Sequence, residues 1–101
     1  MQQGTEDIKI DHNESTGRFE ACVNGQTAFV HYRYSDGGDM TLVHTEVPAA
    51  LGGRGLGSIL ARAALEYARN RGLKVTSTCP FVTGYINRHP EYQSLLSRES
   101  D

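Results

Sequence analysis

The sequence predicts a single domain over residues 1–101, of the α/β (α+β) class, built on a mixed five-stranded sheet. Three observations predict it. The first half alternates apolar and polar residues between tight-turn signals, which is typical of antiparallel strands. The glycine cluster LGGRGLGS (51–58) is followed by a stretch with helical periodicity. Another strand pattern comes after that helix, and such a strand can lie parallel to the strand before the helix.

Tight turns join the four strands of the predicted antiparallel meander. NESTG and DGGD are turn clusters, and Asn24-Gly25 is the strongest hairpin signal, because a type I′ turn needs positive φ at both central residues. Pro48 ends the fourth strand, since proline cannot donate to a sheet ladder. The predicted strands are DIKIDH (7–12), RFEACV (18–23), TAFVHYRYS (27–35) and MTLVHTEV (40–47).

The second half predicts a helix from about Gly55 to Arg71, with Gly72 as the residue that ends it. The fifth strand is LKVTST. Pro80 suits the first position of a further helix, and FVTGYINRH and PEYQSLLS predict two short helical pieces. The predicted buried face of the long helix consists of Leu56, Ile59, Leu60, Ala63, Ala64, Tyr67 and Ala68.

Composition excludes several classes of function. A net charge of -2 gives no basic field for nucleic acid, and the apolar runs are too short to span a bilayer. The first residues, MQQGTED, are polar and acidic, which predicts no secretory signal. Cys22 and Cys79 have neither a zinc spacing nor a disulfide framework. We therefore expect a cytoplasmic protein with reduced thiols and no metal, nucleic-acid or membrane partner.

A strand, a glycine loop and a helix in this order form an arrangement that binds phosphate groups. The start of a helix has unpaired N–H groups and a partial positive charge, and glycines let the backbone approach an anion closely. A Walker loop is excluded because no Lys-Ser/Thr follows the last glycine, and the Rossmann spacing G-x-G-x-x-G is absent. From the glycines alone, a tight turn that binds nothing remains an equal alternative.

GGRGLG (52–57) resembles the acetyl-CoA loop of the GNAT acetyltransferases, whose pattern is Gln/Arg-x-x-Gly-x-Gly/Ala. The stretch HTEVPAALGGRGLGSILARAALEYARNRGLKV, together with CPFVTGYINRHPEY, resembles the very small, single-domain, YjdJ-type N-acetyltransferases of that superfamily. This resemblance covers residues 44–92. One position departs from the pattern, because Gly52 stands where the family usually has Gln or Arg. The resemblance implies a GNAT-like sheet and acetyl-CoA as the co-substrate.

The resemblance also implies where acetyl-CoA binds. Backbone amides of the loop hold the pyrophosphate, and the main chain of Val47 pairs with the pantetheine arm. The fourth and fifth strands splay apart in such folds, and the thioester lies in the gap. Arg88 is either a phosphate contact near the exit of the CoA arm or a plain surface arginine. The expected cofactor-binding residues are Val47, Arg54, Gly55, Leu56, Gly57, Ser58, Asn87 and Arg88.

Four residues are candidates for the chemistry of acetyl transfer, which needs a neutral amine and a proton for the departing thiolate. His44 and Glu46 are two apart on the fourth strand, so they share a face and either accepts the amine proton, unless both only form a solvated surface. Cys79 is expected at a helix N-terminus, which stabilises a thiolate. It is an acid, a base, a transient acetyl acceptor or a small buried apolar residue. By resemblance, Tyr85 protonates the CoA sulfur; its alternative is core packing.

We therefore expect an N-acetyltransferase that moves acetyl from acetyl-CoA to a small amine or to a protein lysine or terminus. The chain runs from strand to strand by short turns, so it lacks the helical wall that follows the first strand in larger GNAT proteins. An open cleft for a protein amine, or a homodimer that completes the cleft, would each fit a chain without this wall. A CoA-binding or interaction module without catalysis, and a scaffold whose glycines only turn the chain, are the alternatives.

Overall fold

A five-stranded mixed sheet with strand order β1-β2-β3-β4-β5 forms the centre of the fold, as the sequence predicts. The computed structural model of the chain describes residues 8–53 and 55–97. Strands β1 to β4 form an antiparallel meander, and β5 pairs with β4 in parallel. The strands are β1 (Asp11–Asn13), β2 (Arg18–Val23), β3 (Gln26–Tyr34), β4 (Met40–Glu46) and β5 (Val75–Ser77).

Two α-helices in the described residues, α1 (Leu56–Arg71) and α2 (Pro80–Arg88), pack against the sheet and against each other. Gly72, with φ of 69°, ends α1 as predicted, because its left-handed conformation lets its N–H bond back to the last turn. Short 3-10 helices, Ala49–Leu51 and Pro90–Leu95, precede α1 and follow α2. Within 8–53 and 55–97, no helix has both the length and the apolar character that a bilayer crossing requires.

The first strand differs from its prediction. It begins at Asp11 rather than at residue 7, which lies outside the described residues. Ile8 and Ile10, whose alternation predicted the strand, are half-buried against the core without pairing in the sheet. The turn that follows sets the register, since the N–H of Gly17 donates to the carbonyl of Asn13 at 3.0 Å. The next turn agrees with its prediction: Asn24 and Gly25 both have positive φ, 54° and 79°.

The core lies between the helices and one face of the sheet. Strand β3 contributes Ala28, Val30 and Tyr32 to it, in the alternation expected of a half-covered strand. The buried face of α1 is rotated relative to the prediction, because this helix packs against α2 as well as against the sheet. Gly57, Ala61 and Leu65 are buried, whereas Ile59, Ala63 and Tyr67 are only half-buried.

A β-bulge in β4 reverses which side chains face the core. His31 pairs with His44 but Tyr32 pairs with Leu42, so Val43 is an extra residue with no partner on β3. Before the bulge, Met40 and Leu42 point into the core and are fully buried. After it, the even-numbered residues of β4 face away from the helices, and the odd-numbered ones face towards them.

An aromatic cluster at the β1 end of the sheet encloses His12. Its ring stacks on Phe19 with centroids 4.1 Å apart and meets Tyr67 edge-on at 4.6 Å. The imidazole Nε2 lies 2.5 Å from the Tyr32 hydroxyl. Burial lowers the pKa of His12 from its ordinary value of 6.5, with a smaller opposing effect from the Glu14 carboxylate. The folded chain therefore favours the neutral imidazole.

His12 makes the stability of the fold depend on pH. Because its folded pKa lies below 6.5, the unfolded chain binds more protons between the two values. We expect the free energy of unfolding to fall as the pH drops below 6.5, by up to about 1.4 kcal/mol per pH unit. Urea denaturation at several pH values measures this slope. His12→Gln should flatten it over that window, and an equal slope in both proteins would contradict the assignment.

Candidate functional site

A cavity of about 420 Å³ opens between the end of β4 and the start of α1. We name it the glycine-loop cavity. Its volume is in the range of sites that hold small molecules and cofactors. Strand β4, the loop, the first turn of α1 and the start of α2 all contribute to its wall. The lining residues are Thr45, Val47, Leu51, Gly52, Gly53, Gly55, Leu56, Gly57, Ser58 and Phe81.

The loop presents the N-terminus of α1 to this cavity. Leu51 is buried and anchors the 3-10 helix that precedes the glycines. Gly53 and Gly55 have φ of 84° and 73°, a left-handed conformation that side-chain-bearing residues rarely adopt. Gly55 is the N-cap of α1 and, among the described residues, no side chain caps the helix, so its first N–H groups are available to an anion. Arg54, which the sequence also predicts here, lies outside the described residues.

Gly57 allows α2 to approach the first turn of α1. A Cβ at this position would lie 2.8 Å from Cζ of Phe81, closer than real Cβ contacts come. The Phe81 ring is 40% exposed and forms part of the cavity wall. The absence of a side chain at Gly57 therefore determines where the aromatic wall of the cavity stands.

Strands β4 and β5 separate beside the cavity. Their register ends at Leu42 and Ser77, after which the N–H of Thr78 still donates to the Leu42 carbonyl at 3.0 Å. Cys79 follows as the N-cap of α2 and is buried, with 4% of its surface exposed. Its Sγ lies 3.5 Å from Oγ1 of Thr45. The thiol thus occupies the point where the two strands diverge, next to a cavity-lining hydroxyl.

His44 and Glu46 lie on the opposite face of the sheet. They share a face as predicted, with Nε2 of His44 3.0 Å from Oε1 of Glu46, and both side chains are more than half exposed. Neither lines the glycine-loop cavity, because the bulge at Val43 turns the even-numbered residues of β4 away from the helices. The carboxylate–imidazole pair and the Cys79 thiol therefore flank β4 from its two sides.

Tyr85, Asn87 and Arg88 do not line the glycine-loop cavity. Helix α2 leads away from the glycine-loop cavity, so Tyr85, one turn after Phe81, lines a separate cavity between α1 and α2, the second cavity. Its ring is buried and stacks on His89 with centroids 4.1 Å apart. Asn87 lines a small third cavity of about 140 Å³, and Arg88 is exposed. That Tyr85 protonates the CoA sulfur stays a prediction.

Thr45 and Phe81 belong to the cavity wall and were not among the predicted site residues. The sequence could have indicated Thr45 as a site residue, because strand alternation places it on the same face as Val47 and opposite His44 and Glu46. The indication for Phe81 is weaker: it is a large apolar residue in the exposed first turn of a short helix. Among the residues that the structure describes, no group of three or more His, Cys, Asp or Glu side chains is arranged to hold a metal ion.

Comparison with known proteins gives consistent matches. A family model described as GCN5-related N-acetyl-transferase matches residues 18–95. Protein NATD1 of Homo sapiens is 34% identical over 97 residues, which cover 94% of this chain and 85% of that protein. Protein NATD1 of Xenopus tropicalis is 33% identical over 90 residues, or 87% and 83% of the two chains. The NMR solution structure of a GCN5-like protein from Staphylococcus aureus superposes with a TM-score of 0.72 at 28% identity, covering 95% and 94%.

The contact between Gly57 and Phe81 predicts an energetic coupling. Alanine at residue 57 favours a helix but must push the Phe81 ring outward. The change in the free energy of unfolding caused by Gly57→Ala should therefore be about 1 kcal/mol less favourable in the unsubstituted chain than in the Phe81→Ala variant. Urea denaturation of the four proteins of this cycle measures the difference. Gly84→Ala is the matched control, because its Cβ would meet only Nη1 of Arg88 at 3.5 Å. Additive effects of the two substitutions would refute the coupling.

Proposed function

Because the chain belongs to the GCN5-related N-acetyltransferase (GNAT) family, we propose that it transfers the acetyl group of acetyl-CoA to a primary amine. One observation carries this proposal. The glycine-loop cavity connects an uncapped helix N-terminus, suited to a pyrophosphate, with the point where β4 and β5 separate and where the Cys79 thiol lies. A phosphate site in the cavity, with a thiol that contacts the cavity-lining Thr45 hydroxyl, suits an acyl-CoA thioester.

Acetyl-CoA binding is assigned mainly to the backbone. The amides of residues 55–58 hold the pyrophosphate, since the glycines leave the helix N-terminus open. Val47 lines the same cavity and its main chain pairs with the pantetheine arm. Gly52 also lines the cavity but supplies no side chain to the phosphates. Asn87 and Arg88 lie away from this cavity and have no part in the proposal.

The chemistry requires the amine to lose a proton and the CoA thiolate to gain one. The amine nitrogen attacks the thioester carbonyl carbon, and the bond between that carbon and sulfur breaks. We assign the proton from the amine to Glu46, which His44 orients through their 3.0 Å contact. We assign protonation of the thiolate to Cys79, held by Thr45. Tyr85 has no role in this scheme because it lines the second cavity.

The acceptor amine is assigned to the face of the sheet that carries His44 and Glu46. In these strands, side chains alternate between faces, so the helices that cover the core face leave this one open. A protein lysine, a protein terminus and a small amine all present the same primary amine to this pair. The acetyl group and the amine then meet between β4 and β5, beyond Leu42.

Substitutions at Cys79 and Glu46 should separate catalysis from binding. We expect Cys79→Ala and Glu46→Gln each to lower the rate of CoA release by about 10²-fold or more, while acetyl-CoA still raises the melting temperature. The readouts are thiol detection with an amine acceptor, and thermal denaturation with acetyl-CoA. Cys22→Ala is the matched control, because Cys22 is an exposed free thiol elsewhere in the sheet.

Each outcome of this experiment has a distinct meaning. Unchanged turnover in both variants would remove Cys79 and Glu46 from the proposed chemistry. A melting shift without turnover in the unsubstituted chain would indicate a CoA-binding module. The absence of any shift with millimolar acetyl-CoA or CoA would refute the proposal.

Restoring a polar side chain at Gly52 should tighten CoA binding. Gly52 has φ of -62° and ψ of 153°, which any residue adopts, and a Cβ would lie 3.3 Å from the Ala49 carbonyl oxygen. We expect Gly52→Arg to lower the Kd for CoA about tenfold, because a charge-assisted hydrogen bond to phosphate contributes about 1.5–3 kcal/mol. Isothermal titration calorimetry measures it. Gly52→Ala is the control for the backbone, and equal Kd values for the two variants would contradict the expectation.

A further inference from the structure

The second cavity, of about 460 Å³, has a lining that the proposed acetyl transfer does not use. It shares no lining residue with the glycine-loop cavity. One wall is a stripe of α1 residues spaced four and three apart, and the other is formed by α2 and the 3-10 helix that follows. The lining residues are Arg62, Glu66, Arg69, Tyr85, His89, Glu91 and Tyr92.

Three of these residues contact one another through their polar groups. The hydroxyl of Tyr92, which is buried, donates to Oε2 of Glu66 at 2.6 Å. Arg69 donates to the same carboxylate oxygen through Nη1 at 3.4 Å, and its guanidinium lies 5.3 Å from the centroid of the Tyr92 ring. Burial and the bond to Glu66 raise the pKa of Tyr92 to about 12, so its hydroxyl stays protonated. This group fixes the Glu66 carboxylate and the Tyr92 ring in the wall, while Arg69 keeps further N–H donors.

Arg62 and the Tyr85 hydroxyl lack such contacts among the described residues. The Tyr85 ring is buried, and its hydroxyl makes no hydrogen bond to the residues that the structure describes, although it is not one of the fully buried polar atoms. Burial raises the pKa of Tyr85, so the hydroxyl is a donor at neutral pH. Arg62 is exposed and makes no ion pair with a carboxylate within 8–53 and 55–97. The cavity therefore offers a cationic donor and a neutral donor without acceptors.

Glu91 provides the opposite charge in the same lining. Its carboxylate is 57% exposed, and the basic group near it is Nδ1 of His89 at 3.9 Å, an ion pair only when the imidazole is protonated. The stacked rings of Tyr85 and His89 lie with these charged groups in the wall. The cavity thus combines an anion-binding group, a cation-binding group and aromatic surface.

We propose that the second cavity binds a free amino acid. The carboxylate of the amino acid lies on Arg62 and the Tyr85 hydroxyl, and its ammonium group lies on Glu91. Its side chain lies against the His89 ring, which is 40% exposed, because the Tyr85 and Tyr92 rings are buried. A phosphate dianion suits the site less well, because Glu66 and Glu91 flank it with negative charge. This site is independent of the proposed acetyl transfer.

L-Phenylalanine and two fragments of its charge pattern test this assignment on the full chain. L-Phenylalaninamide lacks the carboxylate, and 3-phenylpropanoate lacks the ammonium group. In ¹H–¹⁵N correlation spectra, we expect millimolar L-phenylalanine to shift the amides of residues 62–69 and 85–92 and not those of residues 55–58. Both fragments should bind about tenfold more weakly.

Variants locate the site without relying on activity. Arg62→Gln should raise the Kd for L-phenylalanine about tenfold, and Tyr85→Phe about threefold, because the ring packing is kept and only the hydroxyl is lost. Arg33→Gln and Tyr34→Phe are matched controls on β3, since both residues are exposed and neither lines this cavity.

The results that would overturn the proposal are equally specific. The site is refuted if L-phenylalanine shifts none of the amide signals of residues around this cavity. It is also refuted if the Arg62→Gln variant has the melting temperature of the unsubstituted chain and binds L-phenylalanine with an equal Kd. Equal affinity for 3-phenylpropanoate would refute an amino acid as the ligand class.

Discussion

The early end of the pairing between β4 and β5 is the constraint on which the candidate site depends. The two strands share only three paired positions, from Met40 with Val75 to Leu42 with Ser77. Immediately afterwards, the bulge at Val43 bends β4, and Pro80 starts α2 in place of further β5 residues. Continued pairing would have closed the sheet at this edge. Instead, the space beyond Leu42 receives the Cys79 thiol at the start of α2 and the Thr45 hydroxyl on β4.

The glycines act on this opening in different physical ways. Gly55 adopts a left-handed conformation and leaves the start of α1 uncapped, which exposes N–H groups. Gly57 has helical geometry, and its contribution is space, since the Phe81 ring occupies the volume that a Cβ would need. Gly52 needs neither property, because its backbone is extended and open to other residues. The cluster therefore combines conformation at one position, close packing at another and a replaceable residue at a third.

Sequence patterns predicted most of the fold because its local signals agree with the tertiary structure. The Asn24-Gly25 turn, the end of α1 at Gly72 and the start of α2 at Pro80 are all local properties. The bulge at Val43 is not a local property, because it depends on how β4 pairs with β3. The sequence MTLVHTEV contains no pattern that predicts a bulge. Uninterrupted alternation from Met40 and Leu42 would place His44 and Glu46 on the core face, whereas the bulge places them on the other face. Likewise, the role predicted for Tyr85 comes from its resemblance to a family motif, whereas the direction of α2 determines which residues surround it.

The bulge also restricts how the proposed reaction can use both faces of the sheet. Thr45 and Glu46 are consecutive residues, so their side chains project to opposite faces of β4. A reacting group confined to one face reaches either the Cys79 thiol or the His44–Glu46 pair. Only a group that passes the edge of β4 beyond Leu42 lies close to both. An acetyl carbon on the helix side and an amine on the open side satisfy this condition, because the bond between them forms in the gap. The separation of β4 from β5 is therefore a requirement of the proposed chemistry as well as the origin of the cavity.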